Sequence, residues 1–195
     1  MISYEESLKI LKETNALIEG HFILSSGLHS SKYVQCAQLL SKPDKASKIC
    51  VSLAEKIKSS IKHFDLILSP AMGGIIIGYE IGRILNKETI FSERVKSVFQ
   101  LRRDFVIKKN SKVLIIEDVI TTGKSALECV KLIKKSKAKH LGFASIIDRS
   151  TKKSQKIKKN IISHMKIEVP TYKSNQLPES LKKIPITIPG SRFIK

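Results

Sequence analysis

Residues 113–125 read Val113-Leu114-Ile115-Ile116-Glu117-Asp118-Val119-Ile120-Thr121-Thr122-Gly123-Lys124-Ser125, and the reading of this stretch decides the fold. Four consecutive apolar residues without polar alternation fit a strand buried on both faces. A loop follows, and then a helix from about Lys124 to Lys135. The same rhythm recurs on either side. Phe64-Asp65-Leu66-Ile67-Leu68 reads as a buried strand, Ser69-Pro70-Ala71-Met72-Gly73-Gly74 as its loop, and residues 75–85 as a helix. Leu141-Gly142-Phe143-Ala144-Ser145-Ile146-Ile147 is a further strand. Buried strands alternating with helices predict an α/β fold, a Rossmann-like parallel sheet with helices on both faces. Such sheets bind ligands at the carboxyl ends of their strands, where the strand order reverses. The loops after Leu68, Ile116 and Ile147 are therefore where chemistry is expected.

Upstream, Leu8, Leu11 and Ile18 predict a helix over about residues 3–18. The polar stretch Ser25-Ser26-Gly27-Leu28-His29-Ser30-Ser31 lies between short apolar runs and suggests a small hairpin-like cap. Pro43-Asp44 opens a helix to about Ser60, with Ile49, Leu53 and Ile57 on one stripe. No internal repeat is visible. The expectation is a single domain over 1–195, with about 1–40 forming a small N-terminal hood and about 64–150 the core sheet. The tail from Val169 holds four of the six prolines and reads as an extended arm.

Of 195 residues, 42% are hydrophobic and 27% charged, which excludes wholesale disorder. No apolar run approaches a membrane span, and the acidic start lacks a secretory pattern. Three scattered cysteines, Cys36, Cys50 and Cys129, suggest free thiols in a reducing cytoplasm and no structural zinc site. The five histidines, His21, His29, His63, His140 and His164, show no metal-ligand spacing. Net charge is +19, which suggests either a solvated lysine-rich surface or an anionic partner, nucleic acid or a phosphorylated small molecule. The cations are mostly lysine, only six are arginine, and the densest run spans 151–159. Arginine scarcity and the lack of clustered aromatics count against a nucleic-acid reader.

The segment after the central strand carries the most specific chemistry. Glu117 and Asp118 form an acidic pair that can accept hydrogen bonds from sugar hydroxyls or hold a divalent cation. Thr121, Thr122, Gly123, Lys124 and Ser125 then place hydroxyls and free N–H groups at a helix N-terminus, a phosphate cradle. An ATPase phosphate loop is excluded, because its first glycine would have to stand at Asp118.

The full run from Val113 to Ser125 resembles the phosphoribosyl pyrophosphate (PRPP) signature of type I phosphoribosyltransferases. Gly20-His21-Phe22-Ile23-Leu24-Ser25-Ser26-Gly27-Leu28-His29-Ser30, with Tyr33-Val34-Gln35 after it, resembles the hood of orotate phosphoribosyltransferases. Ser69-Pro70-Ala71-Met72-Gly73-Gly74 is similar to their pyrophosphate loop, and Ile147-Asp148-Arg149 to their orotate-binding strand end. The resemblance covers about residues 4–170. It implies phosphoribosyl transfer from PRPP to orotate, giving orotidine 5′-monophosphate and pyrophosphate in pyrimidine biosynthesis. It implies that Glu117, Asp118, Val119, Ile120 and the loop Thr121 to Ser125 hold PRPP, with Ala71, Gly73 and Gly74 on its diphosphate. Arg149, Thr121, Ser26 and Tyr33 would bind orotate. Asp118, Arg94 and Lys96 are the catalytic candidates, and Arg102 and Arg103 would cover the diphosphate from the basic segment 93–103. Mg²⁺ carried mainly by PRPP near Glu117 and Asp118, a homodimer, and neither nucleic-acid nor membrane partners complete the expectation. Two family cations are missing: Ser25 and the Met72-Gly73 pair stand where many members are basic. A purine-base phosphoribosyltransferase and a non-enzymatic regulator of the same fold are the alternatives. A plain basic hairpin is the alternative for 93–103, and an Asp148–Arg149 surface ion pair the alternative for Arg149.

Overall fold

The computed structural model describes residues 1–24, 26–151, 156–157 and 161–189. Ser25 and parts of the basic run, 152–155 and 158–160, lie outside the described residues. In chain order the elements are α1 (Tyr4–Glu13), β1 (Leu17–Ile23), β2 (His29–Val34), α2 (Cys36–Leu40), α3 (Pro43–Ser60) and β3 (Leu66–Pro70). Next come α4 (Gly73–Leu85), β4 (Glu88–Val95), β5 (Val98–Leu101), β6 (Lys112–Ile120), α5 (Lys124–Lys135) and β7 (Lys139–Asp148). The chain continues with β8 (Ile161–Lys166), β9 (Thr171–Tyr172), a 3₁₀ turn (Ser174–Gln176), α6 (Glu179–Lys182) and β10 (Ile186–Thr187).

The core is a six-stranded sheet in the order β5-β4-β3-β6-β7-β8, parallel except for β5. β6 is central, and its side chains from Val113 to Ile116 are fully buried, because apolar layers cover both faces. Helices α1 to α4 bury Leu11, Leu39, Leu53 and Ile77 on one face. Helix α5 buries Ala126, Cys129 and Ile133 on the other. Chain order runs outward from β3 in both directions, so the reversal falls between β3 and β6. The crevice there is the expected ligand site.

Local signals account for several boundaries. Ser3 caps α1 by accepting the Glu6 N–H at 3.0 Å. The helix predicted over 3–18 ends at Glu13, because Asn15 takes a left-handed φ of 56°. Ile18 accordingly lies on β1, not on a helical stripe. The parallel strands run further than their apolar cores suggest, and β6 continues through Glu117 and Asp118 to Ile120. Inter-strand hydrogen bonding to β7 is indifferent to side-chain polarity, so the acidic pair is strand, not loop.

The hood differs most from expectation. Its sheet is β10-β1-β2-β9, so the C-terminal arm supplies two of four strands. Ser30 Oγ donates to Pro170 O at 2.8 Å, and His21 Nδ1 lies 3.2 Å from Ile184 O. The core sheet likewise reaches beyond residue 150 to include β8.

Candidate functional site

The β3 and β6 loops meet at the crevice. A Cβ placed on Gly73 would stand 2.7 Å from an Asp118 carboxylate oxygen, so glycine lets the first turn of α4 approach that carboxylate without moving it. A side chain at Gly73, where many family members are basic, would have to displace the Asp118 carboxylate. Gly74 follows it in the first turn of α4, and Ala71 is held by its N–H on Ser92 O at 2.8 Å.

Strand alternation sends the two acids to opposite faces. Glu117 points to α5. It is 8% exposed, and burial together with the Asp118 charge pushes its carboxyl up to about 8, a rise that a hydrogen bond from the Ala126 N–H only partly offsets. Its Oε1 is buried without a hydrogen-bond partner. Asp118 points to α4 and α2. It is half-buried, and desolvation raises its pKa too. Beneath it the Cys36 thiol donates weakly to the Asp118 carbonyl at 3.9 Å.

Val119 and Ile120 finish the strand, and the next three residues turn. Thr121 and Thr122 are exposed at the crevice edge. Gly123 caps α5 with φ 74°, and a Cβ there would come within 2.6 Å of Ile157, so the turn needs glycine twice over. Lys124 and Ser125 are the first helical residues, with the Lys124 N–H on Thr122 Oγ1 at 3.4 Å. The hydroxyls of Thr121, Thr122 and Ser125 thus stand around the N-terminus of α5.

Arg149 follows β7, its N–H locked to Ile120 O at 2.8 Å. The alternative of an ion pair with Asp148 does not form. Asp148 turns instead to the Ser150 N–H at 2.8 Å. The guanidinium is half-buried, its Nε has no hydrogen-bond partner, and desolvation lowers its pKa, with the nearby Tyr33 and Cys36 opposing that shift. Tyr33 on β2 therefore reaches the same crevice from the hood, backed by Phe22 at 5.7 Å. Ser26 is exposed in the hood turn and accepts the Leu28 N–H at 3.4 Å.

The segment 93–103 is a hairpin, β4 and β5 joined at Lys96 and Ser97. Its arginines are engaged within the chain. Arg94 pairs with Glu128 at 3.0 Å and lies 4.1 Å over the Phe99 ring. Arg103 pairs with Glu93 at 3.1 Å, and Arg102 approaches the same carboxylate at 4.0 Å. Lys96, exposed at the tip, has no ion pair among the described residues. Sequence reasoning missed Glu93 and Glu128 as partners; Glu93 stands beside Arg94 in the chain, whereas Glu128 has no adjacent basic residue to signal it. It also missed Cys36, for which a lone buried cysteine gives no signal.

The chain matches the phosphoribosyl transferase domain family over residues 37–176. It is 41% identical over 189 residues to an orotate phosphoribosyltransferase from Erythrobacter litoralis, covering 96% of this chain and 97% of that protein. Its fold resembles an orotate phosphoribosyltransferase from Aeropyrum pernix, with TM-score 0.69 and 21% identity over 82% of this chain and 92% of the other. It also resembles an adenine phosphoribosyltransferase from Thermoanaerobacter pseudethanolicus, with TM-score 0.60 and 16% identity over 70% and 88%. Fold alone is thus shared between pyrimidine-type and purine-type relatives.

Proposed function

We propose, from the premise that this chain belongs to the orotate phosphoribosyltransferase family, that it joins orotate to PRPP and releases orotidine 5′-monophosphate and pyrophosphate. The reaction would serve pyrimidine nucleotide synthesis. The observation that carries the choice of orotate is Arg149, a half-buried guanidinium with an unpartnered Nε facing a crevice shared with Tyr33. Orotate has a carboxylate that a guanidinium fork matches with two parallel hydrogen bonds, and purine bases do not.

In this reading the turn Thr121 to Ser125 holds the 5′-phosphate on the N-terminus of α5, with Val119 and Ile120 shaping its floor. Asp118 and Glu117 flank the ribose from the strand end. Ala71, Gly73 and Gly74 offer backbone to the diphosphate. Departure of pyrophosphate from C1 builds positive charge on the ring, as in glycoside cleavage, and the orotate nitrogen attacks the opposite face. Asp118 stabilises that charge, and its desolvated setting strengthens the effect. Among the hairpin cations, Lys96, exposed and without an ion pair among the described residues, would reach the diphosphate, while Arg94, Arg102 and Arg103 would stiffen the hairpin that carries it. Its approach would exclude water from the activated sugar. Thr121 and Ser26 line the orotate side.

Mg²⁺ fits the hard oxygen donors here. No group of three or more His, Cys, Asp or Glu that could hold a metal occurs among the described residues, so PRPP oxygens would supply most ligands and Asp118 the nearest protein carboxylate. When bound, the ion supplies charge neutralisation at the diphosphate. A homodimer and a cytoplasmic setting belong to the same reading. The exposed side chains of Met72, just before α4, and of Ile76 and Tyr79 on it support the first, and three buried free cysteines support the second.

One assay tests the reading. Purified protein with Mg²⁺ and PRPP should consume orotate and leave adenine and hypoxanthine unchanged. Consumption of a purine would move the chain to the alternative class, and consumption of neither would favour a binding regulator.

A further inference from the structure

The amino edge of the core sheet, opposite the crevice, gathers lysines that lie far apart in sequence. Lys58 and Lys62 leave α3 there, and Lys108 and Lys109 precede β6. Lys134, Lys135, Lys137 and Lys139 carry the chain from α5 into β7. All eight are exposed, and none forms an ion pair among the described residues. The loops interlock. Asn110 N–H donates to Lys137 O at 3.0 Å, Lys139 N–H to Ser111 O at 2.8 Å, and Asp65 N–H to Lys112 O at 2.8 Å. Asp65 and Glu88 are the acids at the strand starts on this edge, and Asp65 is already engaged by His63 and the Lys112 N–H. Helix C-termini attract cations, which accounts for Lys58, Lys134 and Lys135. It does not account for the other five.

We propose that this edge holds a nucleic-acid phosphodiester backbone without sequence preference. Unpaired like charges repel at the cost of stability, and a polyanion relieves that repulsion by displacing counterions. Val106 is the one large apolar side chain strongly exposed in these segments, too little for a tight protein interface, which needs several desolvated anchors. A single valine is also too little to insert into a lipid surface. Lysine suits phosphate as a point charge, and the absence of arginine forks and stacking aromatics matches backbone contact without base reading. The sequence expectation of no nucleic-acid partner rested on that same absence. It argued against a reader of bases, while the clustering that favours a backbone tether exists only in the fold. The tether would lie about 30 Å from the crevice, the length of nine-residue β6, so catalysis reports folding independently of it.

The test is fluorescence anisotropy of a labelled mixed-sequence 20-nucleotide single-stranded RNA with the full chain. Expected are binding in the micromolar range at 50 mM salt, indifference to sequence, and a log–log salt slope of about −3 to −4. A variant with Lys62→Glu, Lys108→Glu, Lys109→Glu and Lys137→Glu should bind at least tenfold more weakly, with phosphoribosyl transfer unchanged. A variant with Lys9→Glu, Lys42→Glu, Lys48→Glu and Lys173→Glu makes the same net change elsewhere and should retain most binding. Equal losses in both variants would show net charge alone and overturn the proposal. So would no binding at 50 mM salt, or tighter binding to vesicles containing 30% phosphatidylserine than to RNA.

Discussion

The ends of β6 and β7 and the hairpin of β4 and β5 stand at the same edge of one sheet, and they treat charge in opposite ways. At the strand ends, Glu117 Oε1 and Arg149 Nε are buried and unpartnered, and Asp118 faces the glycine turn of α4. In the hairpin, Arg94 and Arg103 are paired with Glu128 and Glu93, and the one buried oxygen there without a hydrogen bond, Glu93 Oε2, still has Arg102 4.0 Å away. A buried polar or charged group without a partner costs stability, whereas exposed paired charge contributes little. A fold keeps the first kind where a ligand completes the pairing, and the second kind to hold a shape. The comparison teaches that unmet electrostatic need, more than charge itself, marks the site.

The largest effect is expected at Asp118. Asp118→Asn keeps the shape and removes the charge, and should lower kcat/KM by roughly 2–4 kcal/mol of transition-state stabilisation. Wild-type turnover in the variant would reduce the acidic pair to a strand-end feature.

Arg149→Lys should come next, weakening orotate by about 2–3 kcal/mol because a point charge cannot make two parallel hydrogen bonds. PRPP affinity should change little, since its cradle lies in the loop after β6. Calorimetry with each substrate separately distinguishes this from general unfolding, which would weaken both.

Glu117 gives a prediction in pH. Its carboxyl ionises near 4.5 when unfolded and at about 8 when folded, so the unliganded fold binds the extra proton. The stability this provides is full below pH 4.5 and is lost as pH rises to about 8. Glu117→Gln should flatten that loss and leave the unliganded protein more stable at pH 8.5, by a few kcal/mol at most. Parallel pH–stability curves for the two proteins would show that the carboxyl ionises freely in the fold.

The smallest effects belong to the hairpin. Arg94→Gln should cost at most about 1 kcal/mol in thermal stability, because its ion pair with Glu128 is partly solvated. Lys96→Ala should leave stability unchanged and slow turnover about tenfold with PRPP affinity retained. A larger kinetic loss for Arg94 than for Lys96 would erase the contrast between the two regions.

The sequence by itself determined the parallel α/β core, the phosphate turn at Gly123 and the candidate residues Glu117, Asp118 and Arg149. These follow from local pattern: continuous apolar strands need cover on both faces, and a Thr-Thr-Gly turn before a helix exposes N–H groups wherever it occurs. Tertiary structure alone decided the rest. It split the acidic pair between two faces, because the strand ran on past its apolar residues. It closed the hood with β9 and β10 from the other end of the chain, and it engaged the hairpin arginines with Glu93 and Glu128. It also drew eight scattered lysines to one edge. Each of these depends on which distant segments become neighbours, and contacts between distant segments leave no period or spacing in the chain.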